Sequence, residues 1–225
     1  MSGGEVLVSS VADGVATITL NRAEKRNALS IAVRDLVSDA LDGLAADVAV
    51  KCAVLTGAGD VLCAGFDLTE FSVEEPGFQE RLWASSDRFH RTVLCFPLPL
   101  VASINGPALA GGFDLAVMCD IRVASTTTRF AHPEQAWSQI VYGPLDALVG
   151  GAVARDLCFT GRSVDANEAL RLGLVSTVVE PHDLAATTAS VVASITRAPR
   201  AALMSTKRKA LARAGVDPAS ATLDL

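Results

Sequence analysis

The chain has 225 residues, is 50% hydrophobic and only 5% aromatic, and carries a net charge of −6. That length is enough for one large domain with a substantial core, and the acidic balance, with no basic run interleaved with aromatics, excludes nucleic acid as a partner. A mean hydropathy of +0.38 points to apolar surface buried between subunits, hence to a homo-oligomer, while the best apolar region is broken by Asn105, Pro107 and Asp114 before it could span a membrane.

The first ten residues, MSGGEVLVSS, lack a basic region before an apolar core and do not read as a signal peptide. Val6–Val11 and Val15–Leu20 predict strands around the turn Asp13-Gly14; VATITL alternates β-branched residues, the pattern of a β-hairpin. NRAEKRN (21–27) is a polar loop. Ser30 predicts the N-cap of a helix with Val33, Leu36, Val37, Leu41 and Leu44 on one face. CAVLT (52–56) predicts a short strand, followed by the loop Gly57-Ala58-Gly59-Asp60 and by VLCAGFDL (61–68). Pro76–Cys95 predicts a helix with Leu82, Phe89, Val93 and Leu94 apolar.

A second strand–turn–glycine–helix unit follows: strand 100–104, the turn Asn105-Gly106-Pro107, then Ala110-Gly111-Gly112 and an apolar helix from Phe113 to Met118, with a strand at 121–125 behind it. FAHPE (130–134) ends a short extended piece. Leu145–Phe159 predicts a helix. Asp165 has the place of a capping residue for a helix ending at Gly173. Leu174–Val179 predicts a strand, and Asp183–Thr196 and Arg200–Ala214 predict helices, with 215–225 a frayed tail. Strands alternate with helices and no linker interrupts them, so residues 1–225 read as one α/β domain. Val54–Leu68 and Val101–Leu115 share one form, a weak structural repeat.

Several catalytic patterns are missing. No G-x-G-x-x-G stands at a strand–helix junction, and there is neither a Walker A sequence nor a G-x-S-x-G elbow. His90, His132 and His182 have no metal-ligand spacing, so no metal is expected; His132 reads as a structural or solvated side chain. The cysteines at 52, 63, 95, 119 and 158 form no C-x-x-C pair and sit in apolar strings, which fits reduced thiols and a cytoplasmic protein. Cys63 reads as a packing residue.

The stretch from Ile104 to Asp120 carries the strongest candidate for a ligand site. Two glycines at a helix start permit close backbone approach to a ligand. The free N–H groups of that turn carry partial positive charge, and Asp114 lies on the same helix face as Gly111. The same glycines also suit tight helix–strand packing, and the helix dipole alone favours an Asp there.

VATITLNRAEKRNAL, VLCAGFDL, INGPALAGGFDLAVMCDIRVAS, FAHPE and LCFTGRSVDANEALRLGLVSTVV occur in an order and spacing that resemble the enoyl-CoA hydratase/isomerase (crotonase) superfamily over about positions 5–210. The resemblance implies a spiral of ββα units, assembly as a trimer or a pair of trimers, and an acyl-CoA thioester as ligand, with coenzyme A entering as part of the substrate and no separate cofactor. It implies a thioester enolate held by two backbone N–H groups, carried over to Ala64 and Gly111. It implies coenzyme A contacts at Arg26 and Ala28 and along Ala64, Gly65, Phe66, Asp67, Leu68 and Gly111, Asp67 serving to fix its loop. It implies a catalytic carboxyl pair at Asp114 and Glu134.

The activity implied is enoyl-CoA hydration, with double-bond isomerisation or acyl-CoA binding without turnover as alternatives. Phe66, Phe113, Trp137 and Tyr142 are candidates for the pocket lining. Against the family pattern, the segment 135–150 is shortened, which brings Tyr142 and Asp146 forward as replacements in the site. The sequence also stops about where the family's last helices begin, so the expected fold lacks much of the usual C-terminal helical region.

Overall fold

The hairpin forms as the alternation requires. Strand β1 (Val6–Val8) runs antiparallel to β2 (Val15–Leu20), with Val6 opposite Leu20, and every second residue of β2 is buried. The structure, a computed structural model, describes residues 4–9 and 11–214; the expected tail at 215–225 lies outside them, as does Ser10 of the longer first strand. From β2 onward each pairing in this first sheet is parallel. β3 (Cys52–Gly57), β4 (Leu100–Ile104), β6 (Ile121–Ser125) and β9 (Thr177–Val179) complete a six-stranded sheet in the order β1-β2-β3-β4-β6-β9.

Both faces of this sheet are covered, as parallel strands demand. Ala53, Leu55, Leu100, Ala102, Ile104 and Ala124 point into the main core with helices α1 (Ile31–Ala46), α2 (Phe78–Leu94) and α3 (Gly111–Met118). The alternate residues Cys52, Val54, Val101 and Val123 meet Leu184 and Val192 of α7 (Leu184–Thr196) on the other face. That two-sided burial is why CAVLT and LVASI are apolar runs rather than alternating ones.

Local signals hold where their chemistry is local. The Ser30 hydroxyl accepts from Val33 N–H at 3.3 Å and starts α1. Asp165 accepts from Glu168 N–H at 2.8 Å and starts α6 (Ala166–Arg171), with Gly173 just beyond at φ +75°. Val54 pairs with Val101, and Cys63 bridges to Ala108, so the two repeat-like segments lie side by side in parallel.

Other expectations shift. The helix expected over 145–159 is two, α4 (Gly143–Val149) and α5 (Gly151–Thr160), because Gly150 stands at φ +76° and breaks the run. Leu36 is exposed, whereas Arg34 is fully buried on α1. The guanidinium pays its desolvation by donating to Ser85 Oγ and to the Leu29 and Leu82 carbonyls. Leu174 and Val175 are buried loop, and only 177–179 is strand.

A second, three-stranded sheet joins β5 (Ala108–Leu109), β7 (Arg129–Ala131) and β8 (Val164–Asp165). It is small, yet it sets the site, because β5 leads into α3 and β7 leads into His132–Glu134. Helix α8 (Arg200–Arg213) is tied to the body through Lys207, whose Nζ lies 2.7 Å from Asp120 Oδ1. Among the described residues no helix is long and apolar enough to cross a membrane.

Candidate active site

Two short loop segments, far apart in sequence, pair in space. Ala64 N–H donates to the Arg26 carbonyl at 3.0 Å, Leu29 N–H to Gly65 at 2.8 Å, and Asp67 N–H to Leu29 at 3.2 Å. The segments 26–29 and 64–68, expected to share a ligand, therefore do lie together. Asp67 fixes this junction: its carboxylate accepts from the Thr69 hydroxyl at 2.7 Å and from Arg22 at 3.3 Å. The Thr69 hydroxyl, ahead of Arg22, holds the Asp67 carboxyl below its ordinary range. Arg26 is exposed at φ +49°, Ala28 gives its carbonyl to Arg22 at 3.0 Å, and Leu68 is exposed.

One assignment needs correction. Ala64 N–H is already bonded to Arg26, so it is not a free donor. Gly65, at φ +96°, reverses the pleat. The amides of residues 64 and 67 then face the 26–29 strip, and the Phe66 N–H has no partner among the described residues. Sequence order alone gives no signal for this; a positive φ at Gly65 is what turns the donor.

The loop meets the start of α3. A Cβ added at Gly65 would stand 3.3 Å from the Gly111 nitrogen and 2.7 Å from the Ala110 Cβ, and one added at Gly111 would stand 2.8 Å from the Phe66 ring. Glycine is required at both positions for this approach. Gly111 is the first residue of α3, and its N–H has no partner among the described residues. Ala110 is held at φ 52°, ψ −131°, a strained conformation for a residue with a side chain, while its carbonyl accepts from Phe113 and Asp114. The strain sits in the peptide that carries the Gly111 N–H. Phe66 and Gly111 thus offer two unpaired donors on touching loops, the second with a helix N-terminus behind it.

The carboxyls come from α3 and from the turn after β7. Leu109 pairs with Ala131, and Ala110 N–H donates to Ala131 at 2.9 Å. Residues 110–114 and 132–134 therefore leave the small sheet side by side. Asp114 is buried on the first turn of α3, and its Oδ1 has no hydrogen-bond partner among the described residues. Burial pushes its carboxyl up to about 7; His132 pulls it down and Glu134 adds to the rise. Glu134 keeps one oxygen, Oε2, equally without a partner. A buried carboxyl that gains and loses a proton near neutral pH, beside a second carboxyl, suits acid–base work.

Between them stands His132. Its Nδ1 lies 2.9 Å from Glu134 Oε1 and its Nε2 lies 4.0 Å from Asp114 Oδ1. The ring is fully buried and stacks on Phe113 with centroids 4.6 Å apart. A histidine set aside in the sequence thus belongs to the site. The one signal was its place two residues before Glu134, and that spacing has no meaning until the small sheet brings Asp114 alongside.

The remaining candidates distribute as follows. Phe113 is core, packed on Phe130 and His132. Trp137 is exposed. Tyr142, the residue before α4, donates its hydroxyl to Asp146 in the first turn of that helix at 2.9 Å. Cys63 is buried under Gly112, and burial pushes its thiol up to about 12, which leaves it a packing residue.

The family model described as enoyl-CoA hydratase/isomerase matches residues 10–224. A short-chain-enoyl-CoA hydratase of Clostridium acetobutylicum is 35% identical over 176 residues, covering 76% of this chain and 67% of that protein. Among solved structures, an enoyl-CoA hydratase from Mycobacterium smegmatis superposes with a TM-score of 0.88 at 33% identity, covering 96% of this chain and 85% of that one. An enoyl-CoA hydratase from Bacillus anthracis also superposes with a TM-score of 0.88, at 29% identity over 95% of this chain and 85% of that one.

Proposed function

This chain belongs to the enoyl-CoA hydratase/isomerase family, and we propose that it adds water across the double bond of a 2-enoyl-CoA thioester. The carrying observation is the meeting of two unpaired N–H donors with two carboxyls, Asp114 buried and Glu134 half-buried, that each keep a buried, unpartnered oxygen. The water oxygen bonds to C3, and the double-bond electrons move through C2 onto the thioester oxygen. One carboxylate takes the proton that the water loses. The enolate then recovers a C–H bond at C2 by taking a proton from the other carboxyl. Phe66 and Gly111 N–H meet the charge that gathers on the thioester oxygen; one such donor is worth about 2.7–4 kcal/mol.

The strips 26–29 and 64–68 hold the coenzyme A portion, which arrives as part of the substrate, so the chemistry needs no resident cofactor or metal. We assign the protein to the cytoplasm and to a homo-oligomer, a trimer or a pair of trimers. Its five cysteines are free thiols, and Trp137 and Phe159, 65% and 74% exposed, are large apolar side chains that a subunit contact would cover. Double-bond isomerisation is the second reading. Asp114 alone could move a proton between two carbons through the same enolate, given its buried, unpartnered oxygen.

The test is loss of enoyl-thioester absorbance on crotonyl-CoA and on longer 2-enoyl-CoA substrates. Glu134→Gln is expected to lower kcat on the order of 10²–10⁴-fold with KM little changed; an unchanged rate removes Glu134 from the mechanism. Turnover of 3-enoyl-CoA in place of 2-enoyl-CoA selects the isomerase. Binding of acyl-CoA by calorimetry, with no turnover of either substrate, leaves a binding protein and overturns both.

A further inference from the structure

His132 is the feature that the proposed chemistry does not use. Its position is specific: a fully buried imidazole with Nδ1 bonded to the Glu134 carboxyl and Nε2 facing the Asp114 carboxyl. Glu134 Oε1 accepts from Nδ1 at 2.9 Å, so the ring hydrogen sits on Nδ1 when Glu134 is ionised. Nε2 then faces Asp114 Oδ1 at 4.0 Å. Neither Nε2 nor Asp114 Oδ1 has a hydrogen-bond partner among the described residues. Stacking on Phe113 and the enclosing burial keep the ring in this orientation.

We propose that His132 is a positioning residue that joins the two carboxyls into one proton-holding unit: Nδ1 fixes the Glu134 carboxylate, and Nε2 provides a second seat for the Asp114 proton.

The physical reason lies in what ionising Asp114 would otherwise cost. A lone carboxylate in a dry site is penalised, and a second carboxylate nearby adds repulsion. Moving the proton from Asp114 Oδ1 to His132 Nε2, for which the two side chains must close their 4.0 Å gap by about 1 Å to reach hydrogen-bond distance, breaks one O–H bond and forms one N–H bond. It leaves an imidazolium between two carboxylates and brings no net charge into the site. Asp114 is then a carboxylate able to take a proton, while the proton it gave up stays within the cluster.

Two thiols also feel the charge of this pair. Cys63 beneath α3 and Cys158 on α5 both sense Asp114, and Cys158 also senses Glu134; burial holds both thiols neutral, at about 12 and about 11. They supply no competing charge. The direction of the coupling follows: His132 pulls the Asp114 carboxyl down against burial, so removing the ring leaves Asp114 protonated to higher pH.

This inference rests on the proposed function for its kinetic part only. The first experiment therefore needs no activity. Nitrogen-15 spectra of histidine-labelled protein, with the His132 signals identified by their loss in His132→Gln, are compared between the unaltered protein and Asp114→Asn across pH 5–9. The Nε2 signal is expected to lie between the protonated and unprotonated limits and to move to the unprotonated limit in Asp114→Asn. An Nε2 signal that is the same in both proteins overturns the proposal.

The second experiment compares His132→Phe, which retains a stacking ring without nitrogens, with His132→Gln, which retains a donor for Glu134. Both should lower kcat on the order of tenfold or more with KM little changed, and in both the pH limb of kcat should move upward. Pocket packing alone predicts that His132→Phe keeps the original pH profile, and that result also overturns the proposal. An unaltered protein that hydrates no enoyl-CoA refutes the proposed function instead, and the spectra still decide the role of His132.

Discussion

Asp114→Asn tests the electrostatics of the site through stability rather than rate. Asp114 is 6% exposed, and folding raises its carboxyl from 3.8 to about 7, chiefly by burial. A raised native value means that the folded chain binds this proton more tightly than the unfolded chain. The contribution is therefore fully present below pH 3.8 and is lost as the pH climbs through about 7. At about 1.4 kcal/mol for each pH unit, the loss above neutral amounts to about 4 kcal/mol.

Asparagine keeps the size of the protonated acid and cannot ionise, so the variant should escape that loss. Urea unfolding at matched protein concentration, from pH 4 to pH 9, measures the difference. The two proteins should be alike near pH 4, and the variant should become the more stable by about 4 kcal/mol above pH 8, although it has lost a carboxyl of the proposed acid pair. Parallel stability curves would refute the reasoning and would mean that Asp114 ionises as freely in the native protein as in the unfolded one.

Gly65→Ala places a methyl group at φ +96° and 2.7 Å from the Ala110 Cβ. It should cost about 1–3 kcal/mol of stability and lower kcat as the Phe66 and Gly111 amides separate. A melting curve and a rate measured together check this, and an unaltered rate would remove the Phe66 amide from the chemistry. Lys207→Met breaks the bonds of 2.7 and 2.8 Å to Asp120, whose Oδ2 also accepts from Leu100 N–H at 2.9 Å. It should destabilise the protein by about 2 kcal/mol in urea while leaving kcat within a small factor, because this pair anchors α8 well outside the acid pair.

Much of the fold is legible because its signals are local. Ser30 and Asp165 cap the helices that they were expected to start, and the alternation of VATITL gives the hairpin. Apolar runs such as LVASI mark strands covered on both faces. The split at Gly150 is not legible in the sequence, because a helical pattern runs through 145–159 and only the backbone conformation of one residue interrupts it. Leu36, expected on the apolar face, is exposed, and Arg34 is buried where α1 packs on α2, because its guanidinium finds carbonyls and a hydroxyl there that accept from it.

In the site, the division follows the range of the interactions. The residues of the sequence determine by themselves that glycines open α3, that Asp114 stands one turn in, and that Glu134 follows a short strand. Each of these is a matter of neighbours along the chain. Tertiary structure alone decides which amide in CAGFDL is free, because pairing with Arg26 takes up the Ala64 N–H and the turn at Gly65 releases that of Phe66. It alone makes His132 part of the site, because parallel pairing of Leu109 with Ala131 sets an imidazole between two carboxyls 20 residues apart in sequence. Protonation in a dry cluster depends on distances across space, and no spacing along the chain encodes them.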